Sequence, residues 1–374
     1  MVTLLAGFPG AAYPQSSAQS SGASQTADNI ITVRSNLVLV PVLVKDKTGE
    51  PVVSLSAEDF ILTDNGIPQS VRLELDTDSQ PMALAVIVET GREGALHLDD
   101  YHNLGAALDA VIGNVPHRIA VIGFDSKPHL ERDFTDDTDA AVETIRKLQS
   151  GDAGAAILDA LDFAIGLLRN QPSGYRRTVL LFSETIDNGS KTSVEDAIRE
   201  IGDTNTAIYS FAFSSAKTGV KHEASKIPRE GGSPYADEPY APGGCMSKNP
   251  NADPDARGNR SVQALDCASD LVPPLRVARM LFIAASDGLK QNVPKSVARL
   301  TGGEYFAFHG ADTLRQELTA ASHDVPNYYV LSFRPQSPAP GLHALGLSLK
   351  ERPGLHCSAR KAYWVDRETP ATSK

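Results

Sequence analysis

The 374-residue sequence is poor in the features that most directly announce a function. It has only three cysteines, Cys245, Cys267 and Cys357, with no Cys-x-x-Cys pair and no His/Cys cluster at zinc spacing, which excludes a zinc module or a disulfide-framed miniature fold. Cys245 and Cys267 share one irregular stretch and form a disulfide candidate for an oxidising compartment, although unpaired thiols fit the spacing equally well. Nowhere do about 18 apolar residues run together, so no membrane span is expected. Lys/Arg-rich runs are absent too. With 35 basic against 46 acidic residues and a net charge of −11, nucleic acid is not expected as a partner.

Catalytic signatures are missing as well. Ser183 lies beside Glu184 but has no Gly-x-Ser-x-Gly elbow around it. Gly231-Gly232 and Gly302-Gly303 lack the Lys-Ser/Thr of a phosphate loop and read as turns. The nine histidines are scattered without ligand spacing. No catalytic residue is assigned, and the chain reads as a non-enzyme.

What is present is a globular composition, 41% hydrophobic, arranged in three kinds of segment. Residues 1–29 combine an apolar stretch, Val2 to Ala12, with a Ser/Ala/Gln-rich tract, Ser16 to Ala27. They read as a signal-peptide remnant or disordered leader and imply a secreted or periplasmic protein, although the basic n-region is missing. Residues 30–80 are β in character: the β-branched run Asn36 to Lys45, then Phe60 to Thr63 and Ser70 to Leu75 around the hairpin signal Asp64-Asn65-Gly66.

From 81 to 325 continuous apolar strands alternate with helical patterns. Met82 to Val88, Arg118 to Phe124, Arg177 to Ser183, Thr206 to Phe213 and Glu304 to Phe308 are the strands. Tyr101, Leu104, Leu108, Val111 and Val115 fall at helical spacing, as do Ile157, Leu161, Ile165 and Leu168. This alternation predicts an α/β fold with a doubly wound, mostly parallel sheet. A Gly/Pro/Asp-rich stretch, 214–269, reads as an irregular insertion. Short strands return over 326–366, before a tail at 367–374. They are expected to complete an accessory β-sandwich with the N-terminal block.

Several strings in this order resemble a von Willebrand factor A-related family described from acidobacterial-type sequences. They include Leu37-Val-Leu-Val-Pro-Val42, Asp64-Asn-Gly66, Leu158-Asp-Ala-Leu161, Glu184-Thr-Ile-Asp-Asn-Gly-Ser190, Thr301-Gly-Gly-Glu-Tyr-Phe306 and Tyr328-Tyr-Val-Leu-Ser-Phe-Arg-Pro335. The resemblance implies a VWA, Rossmann-like fold and, for most members, an exported protein whose function is not established. It also implies a metal-ion adhesion site (MIDAS) at the C-terminal edge of the sheet, built from Asp-x-Ser-x-Ser, a Thr and a second Asp.

Here that pattern is degenerate at every position. Glu89 stands for the first Asp, Gly91 and Glu93 for the two Ser, Ala155 for the Thr and Glu184 for the last Asp. Mg²⁺ demands a compact, near-octahedral oxygen shell, and the hydroxyls that would supply it are gone. The preferred reading takes the acids as surface residues on loops, with Arg92 pairing Glu89 or Glu184, and no cofactor. The alternative keeps Glu89, Glu93 and Glu184 as a rebuilt carboxylate site for Ca²⁺ or Mg²⁺, and a further one makes the acidic cluster a hydrolase. Thr90, Arg92, Asp125 and Asp187 complete the binding-face candidates. The function expected is a secreted protein-binding or adhesion module that works without metal on an unidentified protein partner.

Overall fold

A computed structural model describes residues 37–74, 80–172, 174–213, 273–335 and 339–366, all within the unit Asn36–Lys374. The leader, the candidate pair Cys245 and Cys267, the whole 214–269 stretch and the tail lie outside these residues.

The centre is a six-stranded sheet in the order β10-β9-β8-β5-β6-β7. Its strands are β5 (Met82–Glu89), β6 (His117–Phe124), β7 (Pro128–Thr135), β8 (Arg176–Glu184), β9 (Thr206–Phe213) and β10 (Tyr305–Phe308). All pairings are parallel except β6 with β7. β5 is buried along its whole length because helices cover both faces, as its unbroken apolar sequence requires. Its side chains alternate between two cores: Met82, Leu84, Val86 and Val88 enter one, Ala83, Ala85 and Ile87 the other.

The first core is closed by α1 (Gly105–Ile112), α2 (Thr138–Arg146) and, further along the chain, a helix over Ala311–Asp324. The second is closed by α3 (Ile157–Arg169), α4 (Val194–Asp203), α5 (Pro273–Gln291) and α6 (Val293–Thr301), which makes the Ala311–Asp324 helix α7. The sequence expectation of one helix from Tyr101 is corrected. A 3-10 stretch over Gly94–Asn103 precedes the shorter α1, although Tyr101, Leu104, Leu108 and Val111 all enter the same core.

The chain ends form a β-sandwich. One sheet runs β13-β1-β11-β4 and the other β14-β12-β2-β3. The strands are β1 (Val38–Lys45), β2 (Phe60–Asp64), β3 (Ile67–Gln69), β4 (Arg72–Leu73), β11 (Tyr329–Phe333), β12 (Gly341–Leu349), β13 (His356–Ala359) and β14 (Ala362–Val365). Asn65 and Gly66 both take positive φ, 47° and 83°, giving the tight two-residue turn that Asp64-Asn-Gly66 predicts. The strand expected over Ser70 to Leu75 is corrected: the hairpin partner of β2 is the earlier β3, and within the expected run only Arg72–Leu73 forms a strand, β4, which pairs with β11 in the other sheet. Within the 326–366 stretch, the run His356 to Trp364, expected as one strand, is broken at Arg360-Lys361, so that β13 and β14 serve different sheets.

Arg360 occupies that corner with 3% exposure. It donates to the carbonyls of Ala362 (2.6 Å), Leu39 (3.4 Å) and Gly202, and to Asn205 Oδ1 (2.9 Å). One cation thereby ties β1, β14 and the end of α4 together. Burial pulls its pKa down to about 10, which leaves it charged at neutral pH.

Candidate functional site

In the strand order, β5 lies between β6 and β8, and the connections leave it in opposite directions. This makes the C-terminal ends of β5 and β8 the switch point, where open α/β sheets form a crevice. Glu89 is the last residue of β5 and Glu184 the last of β8. The expectation that these are surface acids on loops is therefore corrected: Glu89 is 0% exposed and Glu184 2% exposed.

Glu89 accepts from the backbone N–H of Glu184 (2.7 Å) with one oxygen and from that of Gly94 (3.3 Å) with the other. Burial nevertheless pushes its pKa up to about 8, with the Glu184 charge adding to the shift and the two N–H groups and Arg92 opposing it. Glu184 takes the cation: Arg92 Nε lies 3.0 Å from its Oε1. Arg92 is held in place by left-handed backbone (φ 42°) and by its N–H donating to Asp152 O at 3.0 Å. Glu93 is half-buried at the start of the 3-10 stretch, and Thr90 is buried with its hydroxyl on Phe124 O (3.0 Å).

Backbone fills the places where the family pattern expects hydroxyls. A Cβ on Gly91 would lie 2.1 Å from Gly154 O and 2.9 Å from Asp152 O, so no serine fits there. A Cβ on Gly94 would meet the Glu89 side chain at 2.6 Å. Ala155 pairs both ways with Asn188, its N–H to Asn188 O at 2.9 Å and its carbonyl from Asn188 N–H at 2.8 Å.

The remaining acids brace these loops. Asp125 accepts from Lys127 N–H (3.2 Å), His129 Nε2 (3.2 Å) and Asp152 N–H (3.2 Å). Asp152 in turn accepts from Ser126 N–H (3.0 Å) and Gly154 N–H (2.8 Å). Asp187 accepts from Leu158 N–H (3.0 Å) and the Ser190 hydroxyl (2.5 Å). It therefore caps α3 from a neighbouring loop, rather than the helix that follows it. That helix, α4, is capped by Ser193, whose hydroxyl accepts from Asp196 N–H at 3.1 Å.

Chemically, the crevice is a closed polar knot. Glu184 takes the guanidinium, Glu89 takes backbone N–H groups, four loops cross-bond over them, and of these three side chains only Arg92 (24% exposed) reaches the surface. Beside it Leu96, on the 3-10 stretch, is 75% exposed. Among the described residues no group of three or more His, Cys, Asp or Glu is arranged to hold a metal ion.

A second buried polar network, in the sandwich, is invisible to sequence reasoning. His343 Nδ1 lies 2.9 Å from Asp64 Oδ1, its Nε2 lies 2.7 Å from Ala339 O, and Tyr363 donates to Asp64 Oδ2 at 2.7 Å. Both ring nitrogens face acceptors, which favours the charged imidazolium. Burial lowers the His343 pKa, but the Asp64 hydrogen bond and the Ala339 carbonyl outweigh it and raise the value overall. The partners are 279 residues apart, and the only local signal is a histidine within the apolar string Gly341-Leu-His-Ala-Leu345.

Residues 92–190 match the family model described as von Willebrand factor type A domain. With the six-stranded sheet, this places a VWA-like α/β domain within the chain. No curated protein matches the sequence. Among solved structures, the vWF domain of the type V pili tip protein Mfa5 from Porphyromonas gingivalis is 19% identical with a TM-score of 0.26, covering 29% of this chain and 39% of that one. The conserved hypothetical protein BatB from Bacteroides thetaiotaomicron is 11% identical with a TM-score of 0.38, over 65% of this chain and 98% of its own. An aerotolerance-related membrane protein from Bacteroides fragilis is 14% identical with a TM-score of 0.30, over 35% of this chain and 67% of its own. Among the described residues no helix is long and apolar enough to cross a membrane.

Proposed function

We propose that the chain is a non-catalytic, exported protein-binding or adhesion module whose VWA-like crevice works without a metal ion. One observation carries this reading: the space a metal shell would need is taken by the chain itself. Arg92 already neutralises Glu184, and the carbonyl of Gly154 sits where a serine side chain at position 91 would begin. A cation entering there would have to displace the guanidinium and find oxygen ligands that glycine and alanine do not offer.

The absence of catalysis rests on the same geometry. Glu89 has a raised pKa beside a second carboxylate, as an acid–base pair would, but it is sealed from solvent and cannot meet a substrate. Export is supported by the apolar and Ser/Ala-rich sequence of residues 1–29.

The binding surface in this reading is the rim of the crevice, which carries partly exposed Arg92 and, four residues later on the 3-10 stretch, exposed Leu96. The test is capture of a specific partner from the exported fraction of the source organism. Capture should persist in chelator and be lost on Leu96→Asp, which leaves the core untouched. Capture that requires Mg²⁺ or Ca²⁺ would overturn the reading.

A further inference from the structure

The opposite edge of the central sheet carries a separate cluster. Arg118 of β6 and Arg177 of β8 are both in register with Ala83 of β5, so the two stems rise from the same face with only a methyl group between them. Two strand spacings put their backbones about 10 Å apart. Both side chains converge on Gln171, just past α3: Arg118 Nη1 to Gln171 Oε1 at 3.5 Å, and Arg177 Nη2 to Gln171 O at 3.3 Å.

Among the described residues neither guanidinium has a carboxylate within ion-pair distance. The nearby Arg169 is already paired, with Glu200 at 2.5 Å and Asp203 at 3.0 Å. Arg177 Nε is buried with no hydrogen-bond partner among the described residues. Burial, and then the Arg169 charge, pull the Arg177 pKa below its usual value. Arg118 opens onto a solvent-connected hollow of about 600 Å³ that is also lined by His117, Asn114, Tyr175 and Asp136. In a chain of net charge −11, two cations converging on a neutral amide run against the overall charge.

We propose that Arg118, Arg177 and Gln171 form a binding site for a small tetrahedral oxyanion, a phosphate group. Guanidinium forks match such an anion with paired, charge-assisted hydrogen bonds. The site is separate from the crevice and does not depend on how the crevice is used.

The test is thermal unfolding of the full chain during titration with inorganic phosphate, and in parallel with O-phosphoserine, against chloride at constant ionic strength. Wild type should gain Tm saturably, and Arg118→Gln and Arg177→Gln should each weaken the apparent affinity at least tenfold. Whichever ligand saturates at lower concentration identifies free phosphate or a phosphomonoester as the source. Because Arg118 is exposed, Arg118→Gln remains informative even if Arg177→Gln fails to fold. No saturable response in wild type, or an equal response in wild type and Arg118→Gln, would overturn the proposal.

Discussion

At the C-terminal edge of the central sheet one buried acid, Glu184, takes a guanidinium and a second, Glu89, is held by backbone N–H groups, whereas at the N-terminal edge two guanidiniums share one neutral glutamine. The first arrangement is closed: backbone N–H groups, Arg92 and the Gly154 carbonyl fill it from within. The second is open on the side of Arg118, where solvent reaches the cation. A surplus of charge inside a protein must be met by partners or by protonation. The acidic edge uses both, since Glu89 holds its proton to about pH 8. The basic edge has neither, because arginine does not give up its proton near neutral pH. The edge at which the fold resemblance implies a ligand is thus the one the chain has closed.

Substitutions that exchange these conditions should have graded effects. The largest is expected from Gly91→Ser, which restores a family hydroxyl but drives its Cβ to 2.1 Å from Gly154 O. A loss of about 3 kcal/mol, read by chemical denaturation and without any gain of Mg²⁺ response, is expected from overpacking against backbone. Arg92→Met comes next. It removes the Arg92 charge from the buried Glu184, and because Arg92 is 24% exposed the loss should be about 2 kcal/mol.

Glu89→Gln acts on the pH profile. The folded-state pKa of about 8 exceeds the ordinary 4.5, so between those values the folded chain keeps a proton that the unfolded chain has lost. Wild-type stability should therefore fall as pH rises through that window, by at most about 1.4 kcal/mol per pH unit. Glu89→Gln should flatten the fall, and an unchanged slope in Tm against pH would sink the assignment. The smallest effect belongs to the open edge: Arg118→Gln should change stability by no more than about 0.5 kcal/mol in phosphate-free buffer.

Much of the α/β domain was legible because its strands are buried on both faces and read as unbroken apolar runs. β7 was not. Pro128-His-Leu-Glu-Arg-Asp-Phe-Thr135 is an edge strand, half-exposed and charged, and it carries no such signal. Helix α7 was passed over as well. Its apolar positions Leu314, Leu318 and Ala321 are few and the rest of its surface is polar.

At the crevice the sequence showed glycine, glutamate and alanine where the family pattern has hydroxyls, and left Arg92 to pair with Glu89 or Glu184, of which the structure shows Glu184. It did not reveal why glycine occupies position 91, because the crowding atoms come from residues 152 and 154, on a different loop. Nor did it indicate burial of the acids, since a carboxylate at a strand end ordinarily reaches solvent. Arg360 and the Asp64–His343–Tyr363 network were hidden for the same reason: their partners meet only when both chain ends enter one sandwich.

The central claim, a VWA-like crevice closed by its own arginine, is tested most directly by thermal unfolding of the full chain in chelator, in Mg²⁺ and in Ca²⁺. Superimposable transitions are the predicted result. A ligand present at about one hundred times its dissociation constant would stabilise the fold by about 2.7 kcal/mol. A shift of that size with either cation, abolished by Glu184→Ala, would contradict the account.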